Sequence, residues 1–156
     1  MLQGHPDMHK TPGVDMSTGS LGQGLSVACG MALAAKYKKQ SSRVYALLGD
    51  GELAEGEVWE AMMFASHYQL DNLCVIIDNN NLQIDGSLDE VMSPYPIVDK
   101  LKAFGFEGAC VDGNDFDQLE AAFEKAKQTH YRPFAILMKT TNGKGVSFME
   151  NQVGWH

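Results

Sequence analysis

Apolar and polar positions along the chain follow two alternating patterns. Short continuous apolar runs, typical of buried parallel strands, alternate with longer stretches in which apolar residues recur at helical spacing. The predicted strands cover residues 43–48, 73–77, 107–111 and 134–140, and the predicted helices cover residues 21–39, 55–69, 97–104 and 115–129. This alternation indicates an α/β fold with a mostly parallel sheet flanked by helices.

The segments between these elements carry their own signals. Residues 1–19 and 79–87 are rich in turn-forming residues and are predicted to be loops. Ser20 and Asp115 stand where N-caps of the following helices are expected. The first helix contains internal glycines, each costing about 1 kcal/mol relative to alanine. We therefore expect another backbone or a ligand to pack closely against it.

Composition limits the classes of function. With 156 residues, of which 44% are hydrophobic, the chain can form one core and one domain. Its formal net charge of −8 disfavours nucleic acid as a partner, because phosphate backbones select basic surfaces. Cys29, Cys74 and Cys110 are far apart, lie among apolar neighbours and form no CxxC motif, which predicts buried, reduced thiols in a cytoplasmic protein. The sequence predicts neither a membrane span nor a signal peptide.

Two predicted strands end in small polar clusters. Gly49-Asp50-Gly51 follows the strand at 43–48, and Asn79-Asn80 follows the strand at 73–77. The intervening residues fit a single crossover, which brings the two strand ends together at the edge where α/β proteins bind ligands. A carboxylate and an amide oxygen held there suit Mg²⁺ or Ca²⁺ carrying a diphosphate. Taken alone, GDG is as typical of an ordinary turn as of a ligand site, and a run of asparagines more often marks a turn.

Four motifs extend this pattern to most of the chain. The paired GDG and NN clusters resemble the thiamine diphosphate signature. GHPD (4–7), STGSLGQGL (17–25), GDGELAEG (49–56) and NNNLQIDG (79–86) together resemble the N-terminal, diphosphate-binding domain of transketolase. The motifs come in the family's order, and the resemblance runs from residue 4 to residue 156.

The resemblance implies a metal and diphosphate site. By position in the motifs, Asp50 and Asn80 match side-chain ligands of Mg²⁺ or Ca²⁺, and Leu82 matches a ligand that uses its backbone carbonyl. Gly51 matches the residue whose backbone contacts the diphosphate, and Gly49 lets the chain turn sharply beside it.

Further positions are implied to face the rest of the cofactor and the substrate. Gly19 and Leu21 match residues lining the aminopyrimidine and thiazolium rings, and Ile84 matches an apolar residue under the bent middle of thiamine diphosphate. His5 matches a substrate-contacting histidine, and His156 matches one near the diphosphate and the substrate.

The activity implied is transfer of a two-carbon ketol unit from a ketose phosphate to an aldose phosphate, as in the pentose phosphate pathway. Glu55 matches an acidic residue at the dimer interface, thought to couple two cofactor sites. Residues 1–156 are expected to form a single diphosphate-binding domain, truncated at both ends. The pyrimidine-binding domain is expected on a C-terminal transketolase subunit, so we predict a homo- or hetero-oligomer and an isolated chain without activity.

Alternatives remain open at this point. A 2-oxo acid dehydrogenase component and a deoxyxylulose phosphate synthase share the GDG and Asn signals, although GHPD and STGSLGQG argue against both. A non-catalytic fragment that folds or associates without holding the cofactor is a further alternative. A nucleotide-binding Rossmann domain is disfavoured because no GxGxxG follows the first strand.

Overall fold

A computed structural model describes residues 4–156 of the chain. Its elements are α1 (Gln23–Tyr37), β1 (Val44–Gly49), a 3₁₀ helix (Gly51–Ala54), α2 (Gly56–His67), β2 (Leu73–Asn79), β3 (Leu82–Gln83), β4 (Gly86–Ser87), α3 (Leu88–Val91), α4 (Ile97–Ala103), β5 (Glu107–Asp112), α5 (Phe116–Gln128), β6 (Phe134–Lys139) and a 3₁₀ helix (Val153–Trp155).

The main sheet has four parallel strands in the order β1-β2-β6-β5. The predicted α/β class with a parallel sheet is confirmed. In the register of β1 with β2, Gly49 lies opposite Asp78, so the two strands end side by side. The expected meeting of the strand ends is therefore present at the edge of the sheet.

Helices cover both faces of the sheet, which explains why its strands read as continuous apolar runs. On one face, Leu25 of α1, Met62 of α2 and Ile97 of α4 belong to the same buried cluster as Ile77 of β2. On the other face, α5 packs against the sheet through a second cluster that includes Ala122, Ala126, Phe134 and Ile136. Within residues 4–156, no helix is both long enough and apolar enough to cross a membrane.

The start of α1 differs from the sequence prediction. The N-cap is Gly22, with φ of +86° and no side-chain cap, so the prediction of Ser20 as the N-cap was wrong. The physical reason is an acceptor from elsewhere in the chain: Glu52 Oε1 accepts a hydrogen bond from the Gly22 N–H at 2.7 Å. The prediction for Asp115 is confirmed, because its side chain accepts bonds from the Asp117 and Gln118 N–H groups.

The segment predicted as a plain loop at 79–87 is more ordered than expected. It contains the antiparallel pair β3–β4 and leads directly into α3. Ser87 and Glu90 form a capping box at the start of α3, which stabilises even this short helix. The S-x-x-E spacing of these two residues was the available sequence signal.

The glycines of α1 meet different surroundings. A Cβ on Gly24 would lie 3.5 Å from Thr18 Cγ2, an ordinary contact, whereas a Cβ on Gly30 would meet nothing within 4 Å. The close packing expected from the sequence is therefore not made at Gly30 by any of residues 4–156. This part of α1 is open on its outer face.

The prediction of buried thiols is confirmed for Cys29 and Cys74 but was wrong for Cys110, which is exposed on β5, an edge strand of the sheet. Burial raises the pKa of the Cys29 thiol to about 11 and that of Cys74 to about 12, whereas Cys110 on β5 is exposed. Since thiolates are the reactive species, we expect N-ethylmaleimide at pH 8 to label Cys110 rapidly and the other two slowly. Mass spectrometry of timed samples measures this. Labelling in guanidinium is the control, where all three should react, and rapid labelling of Cys29 or Cys74 in the native protein would contradict the burial.

Candidate functional site

Asp50 lies at the centre of the polar cluster at the strand ends. Its side chain is almost completely buried, with 1% of its surface exposed. Oδ1 accepts a bond from the Gly51 N–H at 2.8 Å, and Oδ2 accepts bonds from Asn79 Nδ2 at 2.8 Å and the Asn81 N–H at 2.7 Å. The carboxylate is therefore held in one orientation by donors from both strand ends.

The turn after β2 wraps around this carboxylate. Because Asn79 and Asn81 both bond to Asp50, Asn80 lies in the same turn, directly between two of its partners. Asn80 Oδ1 accepts a bond from the Leu82 N–H at 2.9 Å, which closes a local Asx-type turn. The structure thus places Asp50 against the turn that contains Asn80 and Leu82, the other two predicted metal ligands, while coordination itself stays a prediction.

The charge of Asp50 indicates what this turn could hold. Among residues 4–156, the ion pairs use other carboxylates, and every described donor to Asp50 is neutral. A charged carboxylate is costly to bury unless a positive charge lies nearby. Carboxylate, amide and backbone carbonyl oxygens are the ligand types that Mg²⁺ and Ca²⁺ prefer. The residues present therefore fit a divalent cation.

A donor beside Gly51 fits an anion next to that cation. Gln83 Nε2 is buried and has no hydrogen-bond partner among the described residues. The Gln83 side chain lies against Gly51: a Cβ added to Gly51 would lie 3.1 Å from the Cβ of Gln83. A buried unpaired amide donor is costly unless a ligand accepts from it. The Gly51 turn and Gln83 together suit a diphosphate oxygen.

A second part of the site is formed by the two loops before α1. The loop at 4–7 packs on the loop at 17–22 because Gly19 lacks a side chain: a Cβ there would lie 3.3 Å from the His5 ring. Hydrogen bonds from Thr18 N–H to Pro6 O and from Met8 N–H to Ser17 Oγ join the same loops. A cleft of about 530 Å³ opens here, and its walls include His5 and Gly19.

The remaining predicted residues lie on the surface. The apolar side chains of Leu21 and Ile84 are 60% and 77% exposed, so both are available to a ligand or partner. Glu55 is exposed at the start of α2. His156 is exposed at the end of the last 3₁₀ helix, where its N–H bonds to Val153 O. The described contacts place His156 neither in the cleft wall nor on the Asp50 turn.

Several site residues escaped the sequence reasoning. Asn79 Nδ2 bonds to Tyr95 Oη at 2.7 Å as well as to Asp50, so Tyr95 helps to orient the residue that orients the carboxylate. Asp78 accepts a hydrogen bond from Thr140, which joins the end of β6 to the same edge. The sequence alone could not show which of the three consecutive asparagines bonds to Asp50 through its side chain. No sequence motif marks Tyr95 as a site residue.

Comparison with known proteins decides the family. The family model described as "Transketolase, thiamine diphosphate binding domain" matches residues 1–156. The chain belongs to this family. The resemblance to transketolase seen in the sequence motifs is thereby confirmed.

Relatives within the transketolase family include separate subunits. The chain is 45% identical to the 6-deoxy-6-sulfo-D-fructose transketolase subunit SqwG of Clostridium sp. (strain MSTE9), covering 100% of this chain and 57% of that protein. It is 44% identical to an apulose-4-phosphate transketolase subunit of Phocaeicola vulgatus, covering 100% of this chain and 55% of that protein. This transketolase-family chain thus spans about half the length of the curated relatives it matches.

The structure agrees with the same family. A crystal structure of transketolase from Campylobacter jejuni superposes with a TM-score of 0.89 at 36% identity, covering 98% of this chain and 25% of that one. The part of the chain that has the transketolase fold therefore also contains the polar cluster at the strand ends.

Proposed function

We propose that this chain is the N-terminal, thiamine diphosphate-binding component of a transketolase that transfers two-carbon ketol units from a ketose phosphate to an aldose phosphate. The observation that carries the proposal is the buried Asp50 carboxylate, held by the Asn79–Leu82 turn without a cationic partner in the described chain. Membership of the transketolase family supports thiamine diphosphate as the cofactor that binds there.

In this proposal the strand-end residues bind the anionic part of the cofactor. Asp50, Asn80 and the Leu82 carbonyl would hold Mg²⁺ or Ca²⁺, while the backbone at Gly49 and Gly51 lets the diphosphate approach closely. Thiamine diphosphate supplies the electron sink for breaking and forming the carbon–carbon bond. The chain's own contribution is to fix the position of the cofactor.

The loops before α1 contact the other end of the cofactor and the substrate. Gly19 and Leu21 would face the aminopyrimidine and thiazolium rings, and the exposed Ile84 would support the middle of the molecule. His5, packed on Gly19 in the wall of the cleft, is placed to contact the ketose or aldose. His156 is the proposed contact near the diphosphate and substrate, which requires the segment at 141–156 to lie close to the strand ends.

The same proposal includes a second polypeptide. Two relatives are named as transketolase subunits, which supports a C-terminal subunit that carries the pyrimidine-binding domain. Residues 1–156 then act as one diphosphate-binding domain, and Glu55 lies at the interface that couples the sites. The relatives' names include a sulfonated ketose and a ketose phosphate, so the proposed substrates are ketoses with an anionic end. We place the reaction in the cytoplasm, with the pentose phosphate pathway as the proposed setting.

Calorimetric titration of the chain with thiamine diphosphate tests the central claim. We expect binding in the presence of Mg²⁺ or Ca²⁺ and its loss when EDTA removes the cation, because the diphosphate is held through the metal. Inorganic pyrophosphate with Mg²⁺ should compete. No binding under any of these conditions would favour a fragment that folds but does not hold the cofactor.

Activity assays distinguish the reaction class. The purified chain alone is expected to transfer no ketol units, because a second polypeptide supplies cofactor activation in this proposal. Once the C-terminal subunit is present, a ketose phosphate and an aldose phosphate should react, whereas pyruvate should not. Turnover by the chain alone would contradict the need for a partner, and turnover of pyruvate would contradict the reaction class.

A further inference from the structure

Glu52 joins two loops that are distant in sequence. Its Oε1 accepts a hydrogen bond from the Gly22 N–H at 2.7 Å, and its Oε2 accepts one from the Gly49 N–H at 3.1 Å. Gly22 is the N-cap of α1, whereas Gly49 is the last residue of β1. One carboxylate therefore bridges the loop before α1 and the turn that carries Asp50.

The contact at Gly22 is enforced by close packing. Gly22 has φ of +86°, and a Cβ there would lie 2.9 Å from Glu55 Cβ and 3.0 Å from Glu57 Cγ. The loop that contains Gly22 therefore packs directly on the segment that contains Glu55 and Glu57, because Gly22 has no side chain to separate them. The bridge by Glu52 thus acts at a place where the two loops already touch.

Helix capping alone does not explain this arrangement. A capping side chain accepts from an N–H in the first turn of its own helix, whereas Glu52 accepts from the N–H of the N-cap residue Gly22 and lies 30 residues further along the chain. The second bond, to Gly49, adds nothing to the start of α1. A carboxylate is suited to both contacts because it offers one acceptor oxygen to each of two donors, which the amide of glutamine cannot do.

We propose that Glu52 is a positioning residue that fixes the distance between the two ends of the cofactor site. This inference rests on the proposed function, in which the loop at 19–22 faces the thiamine rings and the turn at 49–51 faces the diphosphate. By bonding to both Gly22 and Gly49, Glu52 holds the ring-binding loop at a fixed distance from the diphosphate-binding turn. Its removal should then harm binding of the whole cofactor more than binding of the diphosphate part alone.

The test compares two ligands on the full chain carrying Glu52→Gln. With Mg²⁺ present, we expect the affinity for thiamine diphosphate to fall about tenfold, the effect of losing a hydrogen bond to a charged group, while the affinity for pyrophosphate stays within about twofold. Amide hydrogen exchange measured by NMR should accelerate at Gly22 and Gly49. Glu120→Gln, an exposed change on α5, is the matched control and should alter none of these readings.

The outcomes separate this inference from the proposed function. An equal loss for both ligands would show that Glu52 merely supports the fold of the turn, and no loss for either would show that it positions nothing; each overturns the inference while leaving the proposed function in place. If the unmodified chain binds no thiamine diphosphate with Mg²⁺, the proposed function falls and the inference with it. Amide exchange in the unmodified chain then still reports whether the bridge exists.

Discussion

Replacing Asp50 with asparagine is expected to weaken Mg²⁺-dependent binding of thiamine diphosphate by at least about 100-fold, the scale of removing one partner from a buried charge pair. The side chain keeps its shape but loses the charge that would face the cation. One oxygen remains to accept from its neighbours, so the chain should still fold. Calorimetry measures the affinity, and circular dichroism checks the fold.

The matched control for this change is Asp112→Asn. Asp112 ends β5 at the same edge of the sheet, but it is exposed and two strands away from β2. We expect its replacement to leave cofactor binding unchanged. If Asp50→Asn binds the cofactor as tightly as the unmodified chain does, Asp50 is not a ligand of the metal.

Replacing Gly22 with alanine should destabilise the protein by about 2–4 kcal/mol. Part of this cost is left-handed backbone strain at φ of +86°, and part is the overlap of the new Cβ with Glu55 and Glu57. Urea unfolding followed by circular dichroism measures the free energy of unfolding. The same change should speed hydrogen exchange in the first turn of α1.

Gly30→Ala, within α1, should instead increase the free energy of unfolding. Its Cβ would meet nothing within 4 Å, so the helix gains the preference of alanine, up to about 1 kcal/mol. Equal effects of the two substitutions would show that the loop before α1 is not held as described. If Gly30→Ala stabilises the chain but weakens binding of a second polypeptide, the open face of α1 belongs to an interface.

The architecture was accessible from sequence because it depends on local patterns. Apolar runs such as 44–48 specified buried strands, and one crossover between Asp50 and Asn79 sufficed to predict that their ends meet. Asp115 was recognised as a cap because its partners lie two and three residues away. Each of these inferences uses interactions within a single element or a single connection.

The finer structure of the site was not accessible, because it depends on contacts between distant segments. Ser20 looked like a cap, but the N–H at the start of α1 bonds to Glu52 instead. Asn79 and Asn80 are the same residue type, and only the pleat and the turn decide which amide points at Asp50. Tyr95 enters the network through the fold alone.

The strand order has a practical consequence. Asp50 and the Asn79–Leu82 turn follow β1 and β2, whereas Cys110 sits on β5 at the opposite side of the sheet and is the exposed thiol. A fluorophore attached there would leave the strand-end turn untouched. Its emission or anisotropy can therefore follow assembly with another polypeptide in real time, while the residues around Asp50 stay chemically unaltered.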